Sequence, residues 1–284
     1  MSDLEVFHFK DGVPNFEDFG NANGNTYWFA RDLMGYLGYE DWNAFHKAIN
    51  RAIGACTTLI ISVAENFVQH EREIEGTLSL DYKLSRFACY LIAINGDVKK
   101  PQVAAAQAYF VTLAETLKKY VLTSQNVDRV IIREEVSGRE KTLSGVARAA
   151  GVTQYAYFQN AGYRGMYNMD YRTLKERKGV NQSETLLDFM HKDELAAHLF
   201  RLSMTEGRIK RDGVRGQFPL EQIAEQVGRT VRKTVIEQTG VPPENIPVAE
   251  DIRVVRRGIK AAHKEMKKID GSKSTKHLPS KADK

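Results

Sequence analysis

The first half of the chain contains two stretches of helical apolar periodicity on either side of one short polar and basic segment. Asn95 and Gly96 form a typical C-terminal stop for the first helix, and Pro101 suits the first turn of the next one. Small residues over 103–106 would let the second helix approach the first closely. The pattern therefore predicts a packed helix pair, and the apolar side of its first helix comprises Leu84, Phe87, Ala88, Leu91 and Ile92.

The segments before this helix pair alternate between strand patterns and helical patterns. A strand, a polar turn and a second strand are predicted between Leu4 and Phe29. Helices are predicted over Ala30 to Leu37 and from Asp41 onward, and a hairpin over residues 67–82. Together with the helix pair, this order predicts a small, winged-helix-like α+β domain over residues 1–122.

The rest of the chain has a helical period in almost every segment, which predicts an all-helical second domain over residues 127–250. Its strongest predicted helix covers Asn181 to Ser203, and another covers Pro219 to Thr239. Residues 251–284 are predicted to form a basic amphipathic helix, Ile252 to Lys268, followed by a disordered polar tail. The predicted fold class of the whole chain is thus α+β.

Charge is distributed unevenly along the 284 residues, although the net charge is only +5. Residues 251–284 carry eleven Lys or Arg and four acidic residues, whereas the first 250 residues carry 30 basic and 32 acidic ones. A localised basic segment is typical of polyanion contact, although a basic tail can also serve solubility alone. We therefore predict nucleic-acid contacts from Arg253, Arg256, Arg257, Lys260 and Lys264.

Residues 143–159 have the spacing of a helix-turn-helix motif. Ala147 would be the small residue of the first helix, and Gly151 follows four residues later, where the chain must reverse. The start of the second helix reaches base edges in such a motif, which makes Gln154 a candidate for base contact and Arg148 one for phosphate contact. An ordinary helical corner has the same spacing, and the second helix is poor in Arg and Lys.

Two further segments are predicted to be loops with candidate contacts. Glycines bracket Tyr163 and Arg164 between Phe158 and Tyr167, which favours a loop that presents this pair to a nucleic-acid strand or a protein. The alternative is a structural turn that packs on its own tyrosines. Three more side chains cluster around the helix pair and would contact phosphate or simply be solvated, namely Arg86, Lys99 and Lys100.

An enzymatic function has little support in the sequence. His191, Glu194 and His198 share one face of a predicted helix, but no further His or carboxylate is spaced to complete a metal site. Phosphate-binding loops, nucleophile elbows and dinucleotide-binding motifs are missing. We therefore expect no catalytic residues, no metal and no cofactor.

The sequence also bears on the cellular compartment. Cys56 and Cys89 each lie in an apolar helical context, which predicts buried free thiols in a reducing cytoplasm. No window approaches the roughly 18 consecutive apolar residues that span a bilayer, and the first residues lack a secretion signal. We expect a cytoplasmic protein without membrane contact.

The residues of the helix pair carry a family resemblance as well. LSRFACYLIAINGD followed by KPQVAAAQAYF resembles the block that marks the family of DNA-damage-inducible protein D, whose N-terminal domain is of the BRO type found in phage antirepressors. The resemblance extends from about Asn25 to about Pro247. It does not include the helix after Phe110, where VTLAE replaces the glutamine- and arginine-rich sequence of the family.

This resemblance implies a bacterial or prophage regulator of the DNA-damage response. Such a protein would act, without catalysis, on single- or double-stranded DNA or on the recombinase filament that coats single strands. The alternative is an antirepressor-like interaction module that does not touch DNA, engages a phage repressor or a recombinase, and forms homo-oligomers. In that case the terminal helix would dock on its partner through Ile252, Val255, Ile259 and Met266.

Overall fold

The chain forms two compact units in a computed structural model, which describes residues 5–23, 25–74, 76–113 and 123–271. One unit comprises Met1–Val127 together with Val255–Lys284, and the other comprises Asp128–Val254. The second unit is therefore inserted in the sequence between two parts of the first. The predicted disordered tail lies outside the described residues, apart from Gly271.

The first unit combines an antiparallel sheet with helices, which confirms the predicted α+β class. Its strands are β1 (Asn21–Asn23), β2 (Asn25–Phe29), β3 (Phe67–Ile74) and β4 (Thr77–Leu84), in the order β1-β2-β4-β3. Its helices are α1 (Ala30–Tyr36), α2 (Trp42–Leu59), α3 (Val63–Asn66), α4 (Arg86–Ile94) and α5 (Pro101–Leu113).

The predicted hairpin and helix pair of the first unit are confirmed. Strands β3 and β4 pair from Phe67 opposite Leu84 to Ile74 opposite Thr77. Helix α4 is buried on all sides, which explains why its sequence is apolar almost throughout. Ser85 caps this helix, because its Oγ accepts a hydrogen bond from the Ala88 backbone N–H at 3.1 Å.

The predicted strand near Leu4 is wrong for the residues that can be described. Between residues 5 and 20 the structure has no strand, and Phe16–Phe19 forms a 3-10 turn that Asn15 caps. The segment predicted as a polar turn contains β1 and the start of β2 instead. The apolar residue Phe16 is fully buried and stacks on Trp28 at 4.4 Å between ring centroids, so packing rather than pairing holds this segment.

Helix α11 (Ile252–Gly271), which follows the second unit in sequence, completes the core of the first unit. Four of its apolar side chains within that unit are at most 1 % exposed, whereas Ala261 and Ile269 are half-buried. At its C-terminal end, Asp270 accepts hydrogen bonds from Arg86, and Lys267 pairs with Glu65 at 2.6 Å. From Val255 onward the terminal helix is therefore a part of the first unit, and its buried apolar side chains there are Val255, Ile259, Ala262 and Met266.

The second unit consists of helices, as predicted. They are α6 (Ser124–Ala149), α7 (Tyr155–Tyr167), α8 (Tyr171–Arg177), α9 (Lys192–Asp212) and α10 (Gln217–Thr239), with α6 beginning four residues before the unit boundary. The helix predicted from Asn181 begins only at Lys192, because a 3-10 turn at Leu186–Phe189 precedes it. No helix of the described segments has the length and apolarity needed to cross a membrane.

The predicted loop between Phe158 and Tyr167 is also wrong, because these residues form most of helix α7. Its glycines serve close packing against α10 rather than a turn. A Cβ on Gly165 would lie 2.1 Å from the Glu225 carbonyl oxygen, and one on Gly228 would lie 2.7 Å from the Gly162 carbonyl oxygen. The backbones of α7 and α10 therefore touch at positions where only glycine fits.

Candidate nucleic-acid interface

Helix α11 carries an apolar stripe and a basic stripe on opposite sides. The apolar stripe, Val255 to Met266, faces the core of the first unit. With about 3.6 residues per turn, the centres of the two stripes lie about 180° apart around the helix axis. All members of the second set are exposed, and we call it the basic stripe: Arg257, Lys260, Lys264 and Lys268.

The basic stripe differs from the other cations of α11 in its partners. Arg253 belongs to the second unit and pairs with Glu184 at 2.8 Å and with Asp251 at 2.7 Å. Arg256 is only half-exposed, and Lys267 is paired with Glu65. Within the described residues, the four members of the basic stripe have no ion-pair or hydrogen-bond partner for their side chains. Their charges are thus available to an external anion.

Arg86 is an anchor of α11 rather than a phosphate contact. Its side chain is 3 % exposed; its Nε donates to Asp270 Oδ1 at 2.8 Å, and its Nη1 donates to Glu17. The guanidinium lies 4.8 Å from the ring centroid of Trp28. Burial raises the pKa of Asp270, while the charge of Arg86 opposes this shift. The prediction that Arg86 meets nucleic acid is wrong, because the protein itself surrounds and neutralises this charge.

The two lysines at the turn of the helix pair differ from each other. Lys100 donates to the Gly38 carbonyl oxygen at 2.7 Å, and its ammonium lies 5.0 Å from the ring centroid of Tyr39. Lys99 is exposed, and its backbone N–H bonds Asp97. Lys99 therefore stays a candidate phosphate contact, whereas Lys100 helps to hold the turn against the helix α1 end.

The predicted helix-turn-helix segment forms a helical corner that α10 covers. Gly151 has a φ of +101°, and Val152 is buried, as the motif requires. However, the backbone N–H groups just before α7 already have a partner. Gln217 Oε1 accepts hydrogen bonds from the N–H groups of Thr153 at 2.9 Å and Gln154 at 3.0 Å. Its Nε2 donates to the Gln154 carbonyl oxygen at 3.1 Å. This packing favours the ordinary corner.

The side chains predicted to read nucleic acid from the second unit are scattered. Arg148 and Gln154 are exposed near the corner. Arg164 is exposed on α7 and lies 3.8 Å from Glu225. Tyr163 is 1 % exposed and cannot present its ring to a strand, because helix α7 turns this face toward the core. No single surface of the second unit therefore emerges from the predicted residues.

Glu194 and His198, two of the three residues on the metal-type face, belong to a buried hydrogen-bonded chain. Arg201 Nη2 donates to His198 Nδ1 at 3.3 Å, so the ring proton lies on Nε2, which donates to Tyr167 Oη at 2.8 Å. Tyr167 donates to Glu194 Oε1 at 2.8 Å, and Lys178 pairs with the same oxygen at 2.9 Å. Burial holds the pKa of His198 well below its usual value.

His191 is not a member of this chain, because it stands before the first residue of α9 as its N-cap. Among the residues that the structure describes, no group of three or more His, Cys, Asp or Glu side chains is arranged to hold a metal ion. Cys56 and Cys89 are buried and unpaired, and burial raises the pKa of Cys56 to about 12. Neither thiol is therefore primed as a nucleophile.

Comparison with known proteins decides the family. The chain is 35 % identical over 261 residues to the DNA damage-inducible protein D of Escherichia coli (strain K12), and the match covers 86 % of this chain and 95 % of that relative. The chain belongs to the DNA damage-inducible protein D family. Residues 19–111 match the N-terminal domain of the BRO family, and residues 122–255 match the DinD C-terminal domain. Both parts of the resemblance are confirmed.

The family assignment and the structure divide the chain in nearly the same way up to α11. The BRO match lies within the first unit, and the DinD C-terminal match covers the whole second unit. Most of α11 follows both matches. The sequence did not predict that α11 packs on the first unit, although its apolar stripe indicated that one side of this helix must be buried.

Proposed function

We propose that this member of the family acts in the DNA-damage response as a non-enzymatic protein that binds nucleic acid through the basic stripe of α11. The observation that carries the proposal is the opposition of two stripes on one helix. The apolar stripe fixes the helix on the first unit, and the basic stripe points away from it with four unpaired charges. A charged helix that merely stays in solution does not require such an anchor.

The dimensions of the basic stripe suit a phosphate backbone. From Arg257 to Lys268 the stripe extends over twelve residues, or about 16 Å along the helix. Phosphates recur about every 3.4 Å along each strand of a duplex, so a strand following the helix offers a phosphate to each cation. Each contact would release counterions, and binding should weaken as salt is added.

The test is the salt dependence of binding. We expect a variant with Arg257→Gln, Lys260→Gln, Lys264→Gln and Lys268→Gln to bind labelled oligonucleotides more weakly than the wild type. Because about 0.7 to 0.9 counterions are released per phosphate contact, the slope of log affinity against log salt should fall by about 3. Fluorescence anisotropy between about 50 and 200 mM salt measures this slope.

A charge-conserving variant serves as the control for that experiment. Arg257→Lys, Lys260→Arg, Lys264→Arg and Lys268→Arg keep the four charges and the helix propensity, so the slope should stay at its wild-type value. An unchanged salt slope in the glutamine variant would show that the basic stripe is not part of the nucleic-acid interface. Absence of binding by the wild type at about 50 mM salt would overturn nucleic-acid binding altogether.

A protein partner is the second candidate, such as the recombinase filament, a phage repressor or another copy of the chain. It is favoured by exposed apolar side chains of the second unit, namely Phe200 (51 %), Met204 (47 %) and Phe218 (66 %). Phe200 and Met204 are four residues apart on α9, and therefore share one face. The apolar stripe of α11 is not available for this purpose, because the first unit already buries it.

A further inference from the structure

The sheet of the first unit has an outer face that carries aromatic rings. In the β2-β4-β3 register, Phe29 lies opposite Lys83, which lies opposite Val68. Side chains alternate along a strand, so residues two positions away share this face. The neighbouring row, Trp28, Leu84 and Phe67, points the other way into the core. By the same rule Arg72 and Asp81 also lie on this side of the sheet, where Asp81 is fully buried and pairs with Arg72 at 3.5 Å. We define the outer sheet face as Tyr27, Phe29, Val68, His70 and Lys83.

The rings of the outer sheet face form a continuous cluster. Phe29 and His70 stack with their centroids 5.7 Å apart, and Tyr27 meets Phe29 edge-on at 5.5 Å. All three rings are half-buried, and Val68 beside them is 46 % exposed. Phe29 touches both other rings and therefore supports them from the middle. Tyr27 and His70 are the two ends of the cluster.

Cations accompany these rings. The ammonium of Lys83 lies 5.2 Å from the ring centroid of Tyr27. The guanidinium of Arg72 lies 4.6 Å from the ring centroid of Phe29, where two hydrogen bonds to Asp32 fix it at 2.6 and 3.0 Å. Arg72 is thus a neutralised support, whereas the charge of Lys83 has no acidic partner among the described residues. A lysine without an acidic partner beside a half-buried aromatic ring suits an anion that carries a flat apolar group.

We propose that the outer sheet face binds the bases of a single-stranded nucleic acid, with bases on Tyr27 and His70 and a phosphate on Lys83. Proteins that bind single strands without sequence preference combine such stacking rings with a nearby basic groove. A duplex hides the faces of its bases, so this surface would distinguish a single strand from a duplex. The proposal rests on the proposed function, because the basic stripe supplies the main attraction to phosphate.

The first unit links the two surfaces through the start of β3. Lys267 of α11 pairs with Glu65, and His263 of α11 lies 3.5 Å from the Asn66 side-chain nitrogen. The next residue along the chain, Phe67, begins the strand that carries Val68 and His70. Helix α11 therefore packs where the strand of the outer sheet face begins.

The experiment compares a single-stranded oligothymidylate with a duplex of the same length, at one salt concentration. We expect Tyr27→Leu with His70→Leu to lower the single-strand affinity at least about ten-fold, because stacking on two rings is lost. Duplex affinity at this salt concentration should not change. A 2-aminopurine base in the single strand should be quenched on binding to the wild type and not on binding to this variant.

Two controls keep this test specific. Tyr27→Phe with His70→Phe retains flat rings and should keep the single-strand affinity. Tyr157→Leu removes a 57 % exposed ring from α7 of the second unit and should have no effect. Thermal unfolding of each variant, followed by tryptophan fluorescence, checks that the first unit stays folded, because Trp28 and Trp42 both belong to it.

The outcomes separate this proposal from the proposed function. Binding of both strands that depends on the basic stripe but not on Tyr27 and His70 would overturn the outer sheet face and leave the stripe standing. Single-strand binding that is lost in the leucine variant but kept in the glutamine variant of the basic stripe would support the outer sheet face and overturn the role of the basic stripe. Loss of self-association in the leucine variant, with unchanged nucleic-acid affinity, would assign the face to a second copy of the chain and overturn the proposal.

Discussion

At the scale of single residues, the buried chain from Arg201 to Glu194 gives His198 and Glu194 of α9 a structural role. His198 is 1 % exposed and accepts from Arg201, so its second nitrogen must donate to Tyr167. Each hydrogen bond along the chain joins a donor to an acceptor, although Glu194 Oε2 and Arg201 Nε are buried without a hydrogen-bond partner. The spacing that resembles part of a metal site therefore arises from an internal network that requires neutral His198.

This network predicts a pH dependence of stability. His198 has a lowered pKa in the folded state and an ordinary one near 6.5 when unfolded. Below pH 6.5 the unfolded state therefore binds the proton and gains free energy, so folding stability falls as the pH falls. We expect a loss of about 1 kcal/mol for the second unit between pH 7 and 5.5. Urea unfolding followed by circular dichroism measures it.

The His198→Gln variant should show a weaker dependence of stability on pH between pH 7 and 5.5, because glutamine does not titrate. His263→Gln is the control, since this histidine belongs to the first unit and its pKa is lowered by partial burial. It should leave the pH dependence of the second unit as it is. If the unfolding free energy of the His198→Gln variant depends on pH as strongly as that of the wild type, His198 is not the cause of this dependence.

At the scale of elements, the contact of α7 with α10 depends on glycines. We expect Gly165→Ala to destabilise the second unit by several kcal/mol, because the added methyl would overlap the Glu225 carbonyl and force the helices apart. Gly207→Ala on α9 is the matched control. Nothing lies within 4 Å of a Cβ there, so better helix propensity should raise stability by about 0.5 to 1 kcal/mol. Urea unfolding of both variants tests the pair, and equal effects would contradict the close packing.

The same glycines show what the sequence does and does not determine. Periodicity was enough to predict α4, α5 and the β3-β4 hairpin, because apolar spacing reports directly on which side is buried. It failed for Phe158 to Tyr167, because a glycine looks the same in sequence whether it permits a turn or a close helix contact. It also placed Tyr163 on a surface, although the neighbouring rings that bury it come from other helices.

At the scale of the whole molecule, the first unit depends on a helix that follows the second unit in sequence. Deleting residues 255–284 would remove four buried apolar side chains and leave Arg86 without Asp270. We expect this deletion to lower the stability of the first unit strongly, since breaking a buried ion pair alone costs about 3 to 5 kcal/mol. Tryptophan fluorescence reports on this unit.

The second unit should survive that deletion. Apart from the first four residues of α6, its helices and its buried chain around His198 lie within Asp128–Val254, and hydrogen exchange of α9 and α10 should therefore stay slow. Equal loss of protection in both units would contradict this division. Sequence alone could not predict that the first unit depends on α11. The apolar stripe indicates that one side of this helix is buried, but it does not indicate which unit buries it.

The return of α11 also sets an order of events during synthesis. A ribosome that adds about 5 to 20 residues per second needs roughly 8 to 30 seconds to pass from the end of α5 to Asp270. During that interval the nascent first unit lacks its last core helix, while the inserted unit emerges in full. The basic stripe is therefore presented on a complete first unit only after α11 has been translated. A messenger RNA truncated before α11 gives no protein that carries the basic stripe on a folded first unit.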